Sequence, residues 1–201
     1  MNLYFKLKMW LDDTPGDVDV SKRFSAYLID WFLGSLCTTF PLCLIWMFNT
    51  HDMENMAKVN LFQLWNSTSL SITVIAGILS IFCALFYYVW IPYKIYPGQT
   101  VGKRTMNIKI VKLDNTVLDL KTLIIRQVVG IVVLEGTLYN VSTLWHDLLS
   151  IVTGLNFTGI LMYQGLICSI LSIALCMLSN SHRMIHDRLA KTKVMRIKTG
   201  K

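Results

Sequence analysis

Asp30 lies six residues into an apolar block that runs from Phe24 to Phe48, with Arg23 at the mouth of that block. A carboxylate inside a membrane helix costs from about 2.5 kcal/mol upward, so it is kept only where it is paired, hydrated or put to use. The chemistry open to it is narrow. It can bind a proton or cation, or it can accept hydrogen bonds from a cationic group and tie two segments together. Arg23 and Asp30 are seven residues apart, on nearly the same helix face but displaced by roughly 10.5 Å, too far for direct contact. Each needs a partner elsewhere, and Asp187, just past the last apolar block, is placed to meet Arg23. Arg126 and Glu135 lie about 13.5 Å apart along a helix and on opposite faces, so they cannot pair with each other. Arg126 is expected to snorkel to the interface. Glu135 should lie deeper, needs a polar partner or a proton, and is a candidate relay.

Other chemistries fit less well. His182 and His186 share a helix face, but Arg183 stands where a zinc hydrolase needs its Glu, so no metal site is expected. Gly98, Thr100, Gly102, Lys103 and Arg104 superficially resemble a phosphate-binding loop. The spacing is wrong, with three residues between the glycines where four are required, and Arg104 replaces the magnesium-binding hydroxyl. A structured turn whose Lys103 and Arg104 meet headgroups or a carboxylate is the better expectation. The five cysteines all fall in apolar blocks, where Cys packs as a small hydrophobe. No nucleophile is assembled with its base, so neither an enzyme nor a cofactor is expected.

The elements that position these residues are set by lipid. With 54% hydrophobic and only 15% charged residues, and a mean hydropathy of +0.50, the chain departs from soluble composition toward the bilayer. Four apolar blocks are visible, at about 24–48, 67–93, 122–139 and 156–178, the third interrupted by Arg126 and Glu135. That third block either spans or lies in the interface. Charge favours spanning: four crossings gather every Lys and Arg except Lys58 on one side, which the positive-inside rule makes cytoplasmic. The expected fold is an all-α transmembrane four-helix bundle, with a cytosolic segment 1–22, a membrane domain over 23–195 and a basic tail 196–201. Both termini are then cytoplasmic and the protein is multi-pass in the cell membrane. In the loop 94–121, alternation over Asn107–Val111, the Asp114-Asn115 turn and Val117–Leu120 predict a small β-hairpin between spans two and three. No internal repeat of the solenoid or inverted kind is visible. The net charge of +7 flanks apolar spans without aromatic interleaving, so its partner is anionic lipid headgroups and not nucleic acid.

Three motifs, in order, carry a resemblance: Arg23-Phe-Ser-Ala26-Tyr-Leu-Ile29-Asp30, Gly98-Gln-Thr-Val-Gly102-Lys103-Arg104, and His186-Asp187-Arg188-Leu189-Ala190-Lys191-Thr192-Lys193-Val194. Together they resemble the RDD family of membrane proteins, named for one arginine and two aspartates that map onto Arg23, Asp30 and Asp187. This chain has Lys191 where the family usually has Gly, and Val101 where it often has Pro. The resemblance implies limited activity information: some members look like participants in cation–proton exchange, others like accessory membrane proteins. Two expectations stand. One is a non-catalytic accessory or regulatory membrane subunit that docks to or regulates a membrane-protein partner and is clamped by an Arg-Asp-Asp cluster. The other is a small ion- or proton-coupled transport protein using Asp30, acting as a homo-oligomer.

Overall fold

The computed structural model describes residues 16–114, 116–136 and 139–197. Most of the expected segment 1–22 and tail 196–201, and Asn115 of the expected turn, lie outside those residues. Three helices are long and apolar enough to cross a membrane. They are α1 (Val20–Thr50), α3 (Leu70–Leu85, continued by a wider-wound π-helical stretch Phe86–Ile95) and α7 (Phe157–Leu178). Their outward faces carry large apolar side chains such as Phe32, Phe40, Phe82, Ile160 and Ile167, while Asp30, Thr38, Thr73, Ser80, Ser169 and Ser172 are buried. This inversion of the soluble pattern is what a lipid solvent selects.

The short α2 (Leu61–Ser67), started by an Asn60–Gln63 capping box, closes one end of the molecule. There Leu61 and Leu64 pack with Leu42 and Trp46 of α1, Ala76 of α3, and Leu144 and Ile151 of α6 (Asn140–Thr153). At the opposite, charged end lie α4 (Val101–Thr105), β1 (Ile108–Lys112), α8 (Ile185–Leu189) and β2 (Thr192–Arg196).

Two expectations need correction. The block expected to span over 122–139 is not one continuous helix: α5 (Leu120–Leu123) runs into a second π-helical stretch, Ile124–Leu134, which stops at Glu135. The Glu135 amide still bonds back to Gly130 at 3.0 Å, and a Cβ on Gly136 would sit 2.3 Å from the Val132 carbonyl oxygen, so the chain leaves the helix axis there and restarts as α6. Nor does residue segment 107–120 form a hairpin. Asp114 accepts from the Thr116 amide, Val117 is 87% exposed, and Asp119 caps α5 by accepting from the Thr122 amide, so the expected second strand is used to start a helix. β1 pairs antiparallel with β2 instead, Ile110 opposite Val194.

That long-range pairing exposes an internal repeat. Residues 84 apart, from Thr100 and Met184 onward, adopt matching backbones: N-cap angles of −78°/171° and −77°/171°, five helical residues, and C-cap angles of −86°/4° and −86°/3°. A left-handed residue follows (Asn107 φ 54°, Lys191 φ 50°), then a strand, and Gly98 and His182 upstream are a further left-handed pair. Side-chain bonds repeat too. Gln99 donates to the Ile108 carbonyl as Arg183 donates to that of Thr192, and the Leu113 amide reaches the Lys191 carbonyl as that of Ile197 reaches Asn107. Ile110 and Val194, each the other's counterpart, face each other across the sheet, so a local two-fold axis passes between them.

Candidate functional site: two buried carboxylate nodes

Asp30 occupies the buried face of α1 and is 2% exposed. Its Oδ1 accepts from the Tyr87 hydroxyl at 2.8 Å and the Gly102 amide at 2.9 Å; its Oδ2 accepts from the Thr100 hydroxyl and from Lys103 Nζ at 2.9 Å. The α4 turn delivers three of these donors at once because α4 lies directly on α1: a Cβ on Gly102 would stand 2.3 Å from the Ala26 carbonyl oxygen. The fourth comes from the π-helical stretch, whose wide turns let adjacent residues reach the same target. Tyr88 there donates to the Asp30 carbonyl at 2.9 Å while Tyr87 takes the carboxylate.

Asp187, fully buried on α8, forms the second node. Arg126 donates to Oδ1 through Nε at 3.1 Å and Nη2 at 2.8 Å, Arg23 donates to Oδ2 through Nη2, and the Met184 amide adds a bond to Oδ2 at 3.3 Å. Burial on its own pushes this carboxyl up, but Arg23 and Arg126 override that and hold it well below the usual carboxylate range. The Arg-Asp-Asp set expected to converge thus divides. Arg23 meets Asp187, whereas Asp30 is held by Lys103.

Arg126 does not snorkel; it is 2% exposed and shares Asp187 with Arg23. Glu135 accepts from the Ser172 hydroxyl at 2.7 Å and the His186 amide at 3.0 Å, and His186 Nδ1 lies 2.8 Å from its other oxygen. The carbonyls freed where the helix breaks are met by α7 side chains, Gln164 to Leu134 and Ser169 to Glu135. Arg104 stacks its guanidinium 3.8 Å over the Tyr96 ring, away from Asp30. Thr100, Gly102 and Lys103 thus hold Asp30, Gly98 makes the left-handed turn before them and accepts from the Ile110 amide, and Arg104 stands on Tyr96. No group of His, Cys, Asp and Glu side chains suited to a metal ion occurs among the described residues.

Sequence reasoning missed Arg126 as a ligand of Asp187 and Tyr87 as a ligand of Asp30. For Arg126 the available signal was a guanidinium with no acidic residue within helical reach, inside an apolar block. For Tyr87 there was none, because π-helical winding is invisible to periodicity.

Long apolar helices around buried ion pairs define an integral membrane protein. Within that class the family is shown directly: the model of the RDD family matches residues 18–191, and the chain belongs to it. Neither curated proteins nor solved structures give a match.

Proposed function

We propose that this protein is a non-catalytic accessory or regulatory membrane subunit whose two carboxylate nodes are internal clamps. The observation that carries this reading is the saturation of Asp30: four donors from α3 and α4 occupy its two oxygens, leaving no room for a transported ion. Clamps of this kind specify one packing of lipid-embedded helices. In this reading the chain crosses the cell membrane four times, the third crossing being the broken pair Leu120–Leu134 and α6. Both termini and the sheet then lie in the cytoplasm, since all Lys and Arg but Lys58 gather there.

A second reading, ion- or proton-coupled transport, draws on one observation. Glu135 and His186 meet beside a cavity at a helix break, the kind of site where transporters unwind a crossing. The group exposed to traffic would then be Glu135 and not Asp30. Asp30→Asn and Glu135→Gln in sealed vesicles separate the readings. The clamp reading expects Asp30→Asn to lose folded protein and Glu135→Gln to leave pH- or sodium-driven flux unchanged from empty vesicles. Flux in the parent that Glu135→Gln abolishes would sink it.

A further inference from the structure

The two-fold repeat makes one cavity conspicuous. Leu85, Val89 and Tyr93 on α3 pack with Leu123 and Val128 into a closed apolar core against β1. Their counterparts 84 residues on are Ser169, Ile173 and Met177 of α7. These meet no such core; they line a cavity of roughly 360 Å³ between α7 and α1, whose other wall is Val20, Phe24 and Tyr27. The α1 residues recur at four and then three positions, one continuous face. Phe24, Ile173 and Met177 are exposed along the lipid-facing side, so the cleft opens toward acyl chains.

Its inner end carries Arg23, Lys103 and Arg126, with Glu135 and His186 beside them. Lys103 is matched by Asp30, Glu135 is held by His186 and Ser172, and Arg23 and Arg126 share the single carboxylate of Asp187. Arg126 Nη1, buried, has no hydrogen-bond partner among the described residues, although a buried guanidinium N–H left unpaired is costly. The unpaired donor and the apolar cleft ask for the same occupant.

We propose that this cleft holds one anionic phospholipid, its acidic headgroup against Arg126 Nη1 and its acyl chain along Phe24, Ile173 and Met177. The volume suits a headgroup and the upper part of one chain, with the remainder left in the bilayer. Basic pockets between membrane helices bind acidic headgroups by the same complementarity.

The test is lipid retention by the full chain, ejected from detergent micelles into a mass spectrometer, with phosphatidylglycerol and phosphatidylcholine of identical chains. One phosphatidylglycerol should stay bound per protein, preferred about fivefold or more, the value of one basic group near a headgroup. Met177→Trp, which fills the cleft from an exposed position and leaves every charge in place, should remove that preference. Equal retention of the two lipids, or unchanged preference in M177W, would overturn the proposal. So would complete displacement of the lipid by inorganic phosphate, which would make the site one for free anions. In the parent protein, a photoreactive phosphatidylglycerol should label peptides holding Phe24 or Met177. Labelling spread evenly over the lipid-facing helices would overturn the proposal even if M177W does not fold.

Discussion

The two helix–strand units at the charged end share a backbone but little residue identity. Of their aligned residues from Thr100–Lys112 and Met184–Arg196, only Arg104/Arg188 and Lys109/Lys193 are identical. At the third helical position the charge is inverted, Lys103 in one and Asp187 in the other, and so is the charge received from the helices packed on them, Asp30 against Arg23 and Arg126. Close approach also changes sides. In the first unit Gly102 of the short helix meets the α1 backbone; in the second the glycine belongs to the π-helical stretch Ile124–Leu134, where a Cβ on Gly130 would stand 2.5 Å from the His186 Cβ. The backbone geometry is thus held by where charge and space are matched, not by which partner supplies them.

If that is correct, the units should differ in how badly they fail. Asp187→Asn leaves two arginines, one of them 2% exposed, without their counter-ion. Removing one member of a buried ion pair costs about 3–5 kcal/mol, and this variant should lose most folded protein in a detergent thermal-melt series. Acid should act through the same group. Because the folded Asp187 carboxyl is held below its unfolded value of about 3.9, its stabilisation is fully present above that pH and is lost as pH falls through the lower folded value. The parent should melt progressively earlier below about pH 4, and the gap between parent and D187N should close over the same window. A gap that stays constant to pH 2 would mean that Asp187 is not the anchor.

Lys103→Met should do less. Asp30 keeps the Tyr87, Thr100 and Gly102 donors, so the loss is one charge-assisted bond, about 1.5–3 kcal/mol. Equal damage from K103M and D187N would erase the distinction between a carboxylate held largely by neutral donors and one held largely by cations. Gly102→Ala tests space in place of charge. Its methyl would stand 2.3 Å from the Ala26 carbonyl oxygen and 2.8 Å from Asp30 Oδ1, so it must push α4 off α1, at about 1–3 kcal/mol, and the melt should shift at neutral pH with every charged side chain still present.

How much of this was readable in the residues depends on how far apart the partners lie. Asp30 announced itself because a charge inside an apolar run is costly, and Arg23 and Asp187 because they flank such runs in need of a partner. The three long helices were legible for the same reason: twenty or more apolar residues need no tertiary context. The broken third segment was not, since the break at Glu135 depends on α7 side chains taking the freed carbonyls. β1 illustrates the limit most clearly. Its alternation was correct, but the nearer candidate strand is consumed by the Asp119 cap, and the true partner lies more than eighty residues away. The repeat escaped notice because inverted charges and a glycine moved between partners leave little residue identity to detect.

The smallest difference between the units is the one with opposite sign. Asn107 and Lys191 hold the same left-handed turn between helix and strand. Asn tolerates that conformation through local hydrogen bonding, whereas Lys pays the steric cost of its Cβ, and glycine, which the family usually places there, pays none. Val101 is a similar departure without strain: it occupies the first position of α4, where proline is favoured but not needed. Lys191→Gly should therefore stabilise the protein by about 0.5–1 kcal/mol, provided the Lys191 carbonyl keeps its bond from Leu113. Asn107→Gly should gain less than half as much. A melt in which K191G falls below the parent would mean that its side chain makes a contact worth more than the strain it carries.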